Sequence, residues 1–130
     1  MYKFGTASSK ILVNVHPDLN RIFEGVIKII DCKALSGYRA ESDQNRLFYE
    51  GRSKLKYPSS KHNSFPSEAV DMGPYPIDWE NLHRFYYFAG IVKGVASTLG
   101  IKIRWGGDWD GDNDLNDQSF MDLVHFELVL

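Results

Sequence analysis

Residues 124–130, VHFELVL, have the side-chain pattern of a β-strand with one buried face. Successive side chains of a β-strand point to opposite faces of the sheet, and this stretch divides accordingly into two sets. The first set is Val124, Phe126, Leu128 and Leu130, and the second is His125, Glu127 and Val129. One face of this strand is therefore predicted to lie on an apolar core, while the other face carries an imidazole and a carboxylate.

Outward from this strand, helical and strand-like patterns follow each other irregularly along the chain. Apolar residues at helical spacing, with capping residues at the ends, predict helices over residues 17–31, 41–50 and 78–99. Shorter apolar runs predict a strand or turn at residues 34–39 and strands at 69–72 and 101–105. Because this order lacks the regular alternation of a parallel sheet, it favours an α+β fold, a small antiparallel sheet with helices packed on it.

The overall composition excludes several classes of protein. The 130 residues, 43% of them hydrophobic and 25% charged, suit one globular domain spanning residues 1–130, which we expect to be a monomer. The net charge of −2 argues against a nucleic-acid-binding protein, which would carry a clear excess of basic residues. No apolar run is long enough to span a membrane, and residues 1–5 do not resemble a secretory signal, so synthesis in the cytoplasm is expected. The single cysteine, Cys32, excludes an intramolecular disulfide and is predicted to be buried at the end of a helix.

Four polar residues form a candidate metal site. His62 lies in a long polar loop over residues 52–68, Asp71 lies in the strand that follows, and Asp122 precedes His125 by three residues. Two imidazoles and one carboxylate supply three zinc ligands and leave a fourth position for water. A second carboxylate beside that position can accept a proton from the water.

Four ordered blocks of sequence resemble one family. Ser60-Lys61-His62 followed by Ala69-Val70-Asp71 resembles the S-x-H…A-x-D signature of zinc peptidases that cut bacterial cell-wall peptides. The other blocks are residues 36–39 with Gln44 and residues 51–53, WGGDW at 105–109, and DLVHFE at 122–127. Together they cover roughly residues 36–127. The family includes D-Ala-D-Ala carboxypeptidases and dipeptidases, and the L-alanyl-D-glutamate endopeptidases found as phage endolysins.

The resemblance implies a fold, a substrate and a set of roles. The fold would be the one shared by Hedgehog and D-Ala-D-Ala peptidases, and the substrate would be a peptidoglycan stem peptide. His62, Asp71 and His125 would hold zinc, and Asp122 would be the general base. Arg39 would stabilise the oxyanion of the tetrahedral intermediate. Gln44 and Ser60 would support the substrate or the ligands. Apart from the resemblance, Trp105 and Trp109 flank two glycines near the proposed metal site and could form a wall for the peptide or glycan.

Some features depart from the family pattern or leave two interpretations open. The segment between the first ligand and the second, residues 63–68, is two residues longer than usual and has Ser67 where a glycine is common. It therefore predicts a different shape for one wall of the pocket. Glu127 is either a hydrogen-bond partner of His125 or an exposed strand carboxylate. Trp105 is either a wall of the site or a core residue.

An acidic loop follows the third predicted strand. Four aspartates alternate with other residues at positions 108, 110, 112 and 114, and Asp117 follows. Such loops can bind calcium, but the EF-hand pattern fails because Asn113 stands where glycine is needed and Ser119 where a bidentate glutamate belongs. A solvated, turn-rich loop is the preferred interpretation, and weak calcium binding is kept as a hypothesis.

Three functions are compatible with these residues. The preferred one is an L-alanyl-D-glutamate endopeptidase that lyses bacterial cells. A D,D-carboxypeptidase of the same family would need a cation for the terminal carboxylate of its substrate, which Arg52 or Lys54 could supply. A wall-binding module that contains zinc but does not hydrolyse its ligand would lack a base or an oxyanion donor, whereas both Asp122 and Arg39 are present.

Overall fold

A computed structural model describes residues 1–117 and 121–130 of the chain. Ser119, which entered the argument about calcium, lies outside these residues. The helices are α1 Thr6–Leu12, α2 Pro17–Ile27, α3 Glu41–Tyr49 and α4 Leu82–Thr98. The strands are β1 Cys32–Ser36, β2 Ala69–Pro74, β3 Ile103–Gly106 and β4 Asp122–Leu128. Two short 3₁₀ turns are formed at Lys61–Asn63 and Leu115–Asp117.

The described strands form one antiparallel sheet in the order β1-β2-β4-β3. The predicted terminal strand β4 is therefore central, between β2 and β3. In the β2–β4 ladder Asp71 lies directly opposite His125. The predicted fold class, α+β with helices on a small antiparallel sheet, is confirmed.

The helices α2 and α4 cover one face of the sheet. Phe23 of α2 packs against Phe88 of α4 and Phe126 of β4, with ring centroids 6.5 and 5.6 Å apart. Core residues recur at helical spacing on both helices, and they are fully or almost fully buried: Leu19, Ile22, Phe23, Val26, Phe85, Phe88, Ala89, Val92 and Ala96. Leu82, which the same spacing predicts to be buried, is 48% exposed, and Phe88 was not predicted. Because strand side chains alternate, the residues between the core positions of β2 and β4 point to the other face of the sheet.

Several predicted boundaries are wrong. Helix α1 was not predicted, since only Ser8 and Leu12 of its seven residues are buried and no side chain caps its start. Helix α2 ends at Ile27 instead of residue 31, so Cys32 begins strand β1 rather than ending a helix. Cys32 is buried as predicted, and burial raises the pKa of its thiol to about 12.

Strand and helix ends also shift near the C-terminal half. Helix α4 starts at Leu82, because Asp78 caps a separate turn by accepting a hydrogen bond from the Glu80 amide at 3.1 Å. Strand β1 ends at Ser36 instead of residue 39, β2 extends to Pro74, β3 begins at Ile103, and β4 ends at Leu128. Across the described ranges, no helix combines the length and the apolar character needed to cross a bilayer.

Candidate metal centre

His62, Asp71 and His125 converge although they are distant in sequence. Strand pairing places Asp71 opposite His125, and the 3₁₀ turn Lys61–Asn63 brings His62 to the same point. Asp71 Oδ1 lies 3.2 Å from His62 Nε2 and 3.3 Å from His125 Nδ1. The two imidazole nitrogens are 3.3 Å apart. The three candidate ligand atoms therefore form a nearly equilateral triangle.

This triangle fits a tetrahedral metal ion. Zinc bonds of about 2.0–2.1 Å to nitrogen and oxygen place tetrahedral ligand atoms about 3.3 Å apart. Asp71 Oδ1 is buried and makes no hydrogen bond to any residue that the structure describes, although both nitrogens are close to it. Such an atom is costly unless it has another partner, and a cation shared by the three ligand atoms would be that partner. The donor set of two imidazoles and one carboxylate suits zinc and leaves the fourth position open.

Each imidazole has a polar partner at the ring nitrogen that faces away from the site. His62 Nδ1 lies 2.7 Å from the carbonyl oxygen of Gly37, and His125 Nε2 lies 2.8 Å from Glu127 Oε1. The Ser60 hydroxyl accepts a hydrogen bond from the His62 amide at 3.2 Å and caps the turn. Glu127 is only 9% exposed, so the interpretation of it as an exposed strand carboxylate is wrong.

The candidate ligand residues shift one another's pKa values. Burial on its own would raise the pKa of Asp71, but the imidazoles of His125 and His62, which lie close to its carboxylate, hold that pKa well below its usual range. Burial opposes charge on His125, yet the nearby carboxylate of Asp71 and the contact with Glu127 raise its pKa to about 9. A proton and a metal ion therefore compete for the same Nδ1 atom of His125.

Arg39 lies at the edge of the ligand triangle. Its guanidinium Nη2 is 3.7 Å from Asp71 Oδ2 and donates to Ser36 Oγ at 3.3 Å. Its Nη1 donates to Gln44 Oε1 at 3.0 Å. Burial lowers the pKa of Arg39, and the charges of Asp71 and Asp122 oppose that shift. The guanidinium remains a cation, because its pKa starts far above neutral.

Asp122 reaches the same cavity because β4 is irregular. Residues three apart in a regular strand face opposite sides, which would separate Asp122 from His125. Opposite β3 the register shifts by three residues, from Trp105↔Phe126 to Gly106↔Asp122. Both Asp122 and His125 consequently line the cavity. Burial and the negative charge of Asp71 raise the pKa of Asp122 above its ordinary value.

An open cavity of about 570 Å³ surrounds these groups, a volume that admits a short peptide. Its floor holds the metal triangle, Arg39 and Asp122. Aromatic side chains also line it: Tyr38, Trp79 and Trp109. Sequence reasoning missed Tyr38 and Trp79. Trp79 is 61% exposed and stacks on Phe85. The sequence signal that could have identified it as a cavity residue is its place just after the prolines at 74 and 76, where a turn exposes a large aromatic side chain.

The remaining predicted site residues have different placements. Ser60 lines the cavity. Gln44 has no exposed surface, so it lies behind the cavity wall and supports Arg39 rather than touching a substrate. Trp105 is 4% exposed and belongs to the core, with its indole N–H donating to the Leu123 carbonyl at 2.9 Å. Trp109, the other tryptophan expected to form a wall, does line the cavity, with its ring centroid 5.3 Å from that of His125.

The longer segment 63–68 lies behind one wall of the cavity, which it contacts through Phe65. Phe65 is 69% exposed and meets Tyr38 edge to face at 5.2 Å, and Tyr38 lines the cavity. Ser67 is fully buried, where its amide donates to the Asn14 carbonyl at 2.9 Å. The segment is thus anchored to the linker between α1 and α2 at one end and contacts the cavity wall at the other.

The acidic loop contains a second cluster of oxygen atoms. Carboxylate oxygens of Asp108, Asp110 and Asp112 lie within 4.8 Å of one another. Asp108 is 2% exposed, and its Oδ1 makes no hydrogen bond to any part of the chain described by the structure. Its Oδ2 accepts from the Asn113 amide at 3.0 Å and lies 3.7 Å from Lys93 Nζ. The loop also forms local side-chain turns, as at Asp112, whose Oδ1 accepts from the Asp114 amide at 2.8 Å.

The fold and this site together define a class of protein, a hydrolytic enzyme with a candidate metal site. The triangle of ligand atoms supplies the metal position, and a carboxylate and a guanidinium lie beside it in one open cavity. The family described as phage L-alanyl-D-glutamate peptidase matches residues 1–129, and the chain belongs to this family. The chain is therefore a peptidase, and the family predicted from the four sequence blocks is confirmed.

Two relatives agree with this assignment. The chain is 33% identical over 137 residues to the L-alanyl-D-glutamate peptidase of Escherichia phage T5, with 98% of each protein covered. The crystal structure of the Serratia marcescens L-Ala D-Glu endopeptidase ChiX superposes with a TM-score of 0.77 at 26% identity, over 98% of this chain and 90% of that chain.

Proposed function

We propose that this protein is a zinc-dependent endopeptidase that cuts the bond between L-alanine and D-glutamate in peptidoglycan stem peptides. The observation that carries the proposal is the triangle of His62, Asp71 and His125 at the floor of a cavity that Asp122 and Arg39 also line. The family and the relatives support the choice of bond.

Zinc is the proposed ion, held by His62 Nε2, Asp71 Oδ1 and His125 Nδ1. When bound, zinc would act as a Lewis acid and make water available as a nucleophile at neutral pH. The carbonyl of Gly37 and the carboxylate of Glu127 hold the two imidazoles at their other nitrogens. These contacts keep the ligand atoms aimed at one point while a substrate enters and leaves.

Asp122 is the proposed general base. Its carboxylate accepts the proton of the attacking water and then delivers that proton to the amine of the departing D-glutamate residue. The raised pKa of Asp122 suits both steps, because a stronger base takes the proton more readily and the resulting acid still releases it to an amine. Aspartate has a shorter side chain than glutamate, so its carboxylate must be brought close to the attacking water. The register shift in β4 that brings Asp122 to the cavity is therefore part of the proposed mechanism.

Arg39 is the proposed oxyanion partner. Gln44 and Ser36 hold its guanidinium by hydrogen bonds of 3.0 and 3.3 Å, so the cation is fixed before the substrate arrives. Its N–H groups can donate to the carbonyl oxygen of the scissile bond as that oxygen gains negative charge. A donor that needs no reorganisation stabilises the transition state more than the bound substrate.

The other sequence hypotheses make different demands on the same cavity. A D,D-carboxypeptidase needs a cation for the terminal carboxylate, and both Arg52 and Lys54 line the cavity, although Arg52 Nη1 is already 3.2 Å from Glu50 Oε1. A non-hydrolytic wall-binding module has no use for Asp122 and Arg39 beside the metal triangle. The endopeptidase accounts for all of these groups and for the family relationship.

The biological role that follows is lysis of a bacterial cell through its wall, as expected of a phage endolysin. Synthesis in the cytoplasm and action as a monomer remain predictions from the sequence. We also propose that Asp108, Asp110 and Asp112 bind calcium, since their oxygen atoms cluster and the buried Asp108 Oδ1 lacks a partner among the described residues.

Digestion of purified peptidoglycan, followed by mass spectrometry of the released fragments, tests the proposed activity. An endopeptidase exposes new N-terminal D-glutamate, whereas a carboxypeptidase releases free D-alanine. Chelation and the variant His125→Ala should both abolish release, and added zinc should restore activity only to the chelated wild type. His83→Ala is the matched control, because His83 is exposed on α4 and does not line the cavity. Release of D-alanine alone, or full activity in His125→Ala, would contradict the proposal.

A further inference from the structure

Glu127 is a buried carboxylate to which the proposed reaction assigns no chemical step. It is 9% exposed, and its Oε1 lies 2.8 Å from His125 Nε2, on the side of the imidazole away from the metal triangle. A buried carboxylate is costly to desolvate and is retained only where charged or hydrogen-bonding partners compensate. Its position on β4, two residues after His125, places both side chains on the same face of the strand.

Two cations hold the other oxygen of this carboxylate. Arg104 Nη1 lies 3.3 Å from Glu127 Oε2, and Lys61 Nζ lies 3.7 Å from it. Arg104 is the cross-strand partner of Glu127 in the β3–β4 ladder, and Lys61 directly precedes the ligand His62 and donates to the carbonyl of Leu128. The carboxylate is therefore fixed from three sides, with one oxygen for the imidazole and one for the cations.

The two candidate histidine ligands are held by different means. His62 presents Nε2 to the site, because its Nδ1 faces the backbone carbonyl of Gly37. His125 presents Nδ1, because its Nε2 faces Glu127. A backbone carbonyl is kept when the side chain of its residue is substituted, whereas the partner of His125 Nε2 is itself a replaceable side chain.

We propose that Glu127, clamped by Lys61 and Arg104, is a positioning residue that holds His125 with Nε2 protonated and Nδ1 available to the metal. The proposal rests on the metal centre put forward under the proposed function. Glu127 does not touch the substrate and moves no proton in the reaction. Its effect is exerted on metal affinity through the orientation and tautomer of one imidazole.

The first test measures zinc affinity by competition with a chromophoric chelator. In Glu127→Gln the amide oxygen can still accept from His125, but its NH₂ group must then face the donors Lys61 and Arg104. We expect its zinc affinity to fall by about 10–100-fold. Glu127→Asp keeps the charge but shortens the side chain, so it should also weaken binding if reach is what matters. Glu24→Gln, at an exposed position on α2, is the matched control and should bind zinc like the wild type.

The second test reads the tautomer directly and does not depend on turnover. Long-range ¹H–¹⁵N correlation spectra of the zinc-loaded wild type should show the His125 proton on Nε2 and the His62 proton on Nδ1. Arg104→Met removes one of the two cations from a side chain that is 42% exposed, so the fold should tolerate it. Because Lys61 remains to hold Glu127, this variant should show the same tautomers. The loss of one of the two cations should still weaken zinc binding.

The outcomes separate this proposal from the one on which it rests. Zinc binding by Glu127→Gln or Glu127→Asp within twofold of the wild type would overturn the role of Glu127 while leaving the metal centre intact. A His125 proton on Nδ1 in the zinc-loaded wild type would overturn it as well. Failure of the wild type to bind zinc at all would overturn the metal centre and this proposal together.

Discussion

Replacement of Asp122 by asparagine separates metal binding from proton transfer. Asp122 lines the cavity but is outside the triangle of ligand atoms, so Asp122→Asn leaves His62, Asp71 and His125 in place. Asparagine has nearly the same shape as aspartate and cannot accept a proton at neutral pH. General base catalysis contributes about 10²–10⁴-fold to the rate, which corresponds to about 3–5 kcal/mol of activation free energy. We expect turnover to fall by that factor.

The same substitution should not destabilise the metal-free protein. Burial and repulsion from Asp71 raise the pKa of Asp122, which means that its negative charge is disfavoured in the folded state. A carboxyl whose pKa is higher in the folded than in the unfolded protein opposes folding at pH values above its unfolded pKa, and the neutral amide removes this opposition. The unfolding midpoint of metal-free Asp122→Asn in urea should therefore equal or exceed that of the wild type.

Three measurements on one preparation complete this test. They are the initial rate of peptidoglycan solubilisation at pH 7.5, the zinc content after dialysis, and the urea midpoint in the presence of chelator. The expected pattern is a rate at most one hundredth of the wild type, one zinc ion per chain and no loss of stability. Retention of more than a tenth of the activity would refute the assignment of Asp122 as the base. Loss of the zinc ion would instead identify Asp122 as a ligand.

Three further predictions follow from the site and its surroundings. In the folded, metal-free protein the pKa of His125 is raised from 6.5 to about 9. The protonated imidazole therefore contributes stability that is complete below pH 6.5 and is lost as the pH rises through 9. The melting temperature measured in chelator should fall across this range, and His125→Ala should flatten the profile. Gln44→Leu should lower the free energy of unfolding in urea by about 1–3 kcal/mol, because it removes the hydrogen bonds that Gln44 makes with Arg39, Asn63 and the Leu55 carbonyl; a loss below 0.5 kcal/mol, on the order of a surface substitution, would contradict this. Millimolar calcium should raise the melting temperature, with about 1.4 kcal/mol of stabilisation at ten times the dissociation constant, and Asp108→Asn should abolish the shift; no shift in the wild type would end the calcium hypothesis.

Local patterns in the sequence determined more of the site chemistry than of its geometry. The S-x-H…A-x-D and D-x-x-H-F-E blocks identify the side chains that meet at the metal centre, because motif and residue chemistry are properties of short segments. The alternation in residues 124–130 predicts β4, and helical periodicity predicts α2 and α4. These elements succeed because one face of each is buried, which the spacing of apolar residues records directly.

Tertiary structure alone decided how these groups are arranged. The pairing of Asp71 with His125 depends on the register between two strands that are distant in sequence, and the shift that brings Asp122 to the cavity depends on packing against β3. The local sequence around Glu127 is the same for a solvated and for a buried side chain. Its burial depends on Lys61 and Arg104, which neutralise the carboxylate and lie elsewhere in the sequence. A strand pattern specifies which face a side chain takes in a regular ladder, whereas bulges, register and long-range ion pairs are set by neighbours that the local sequence does not contain.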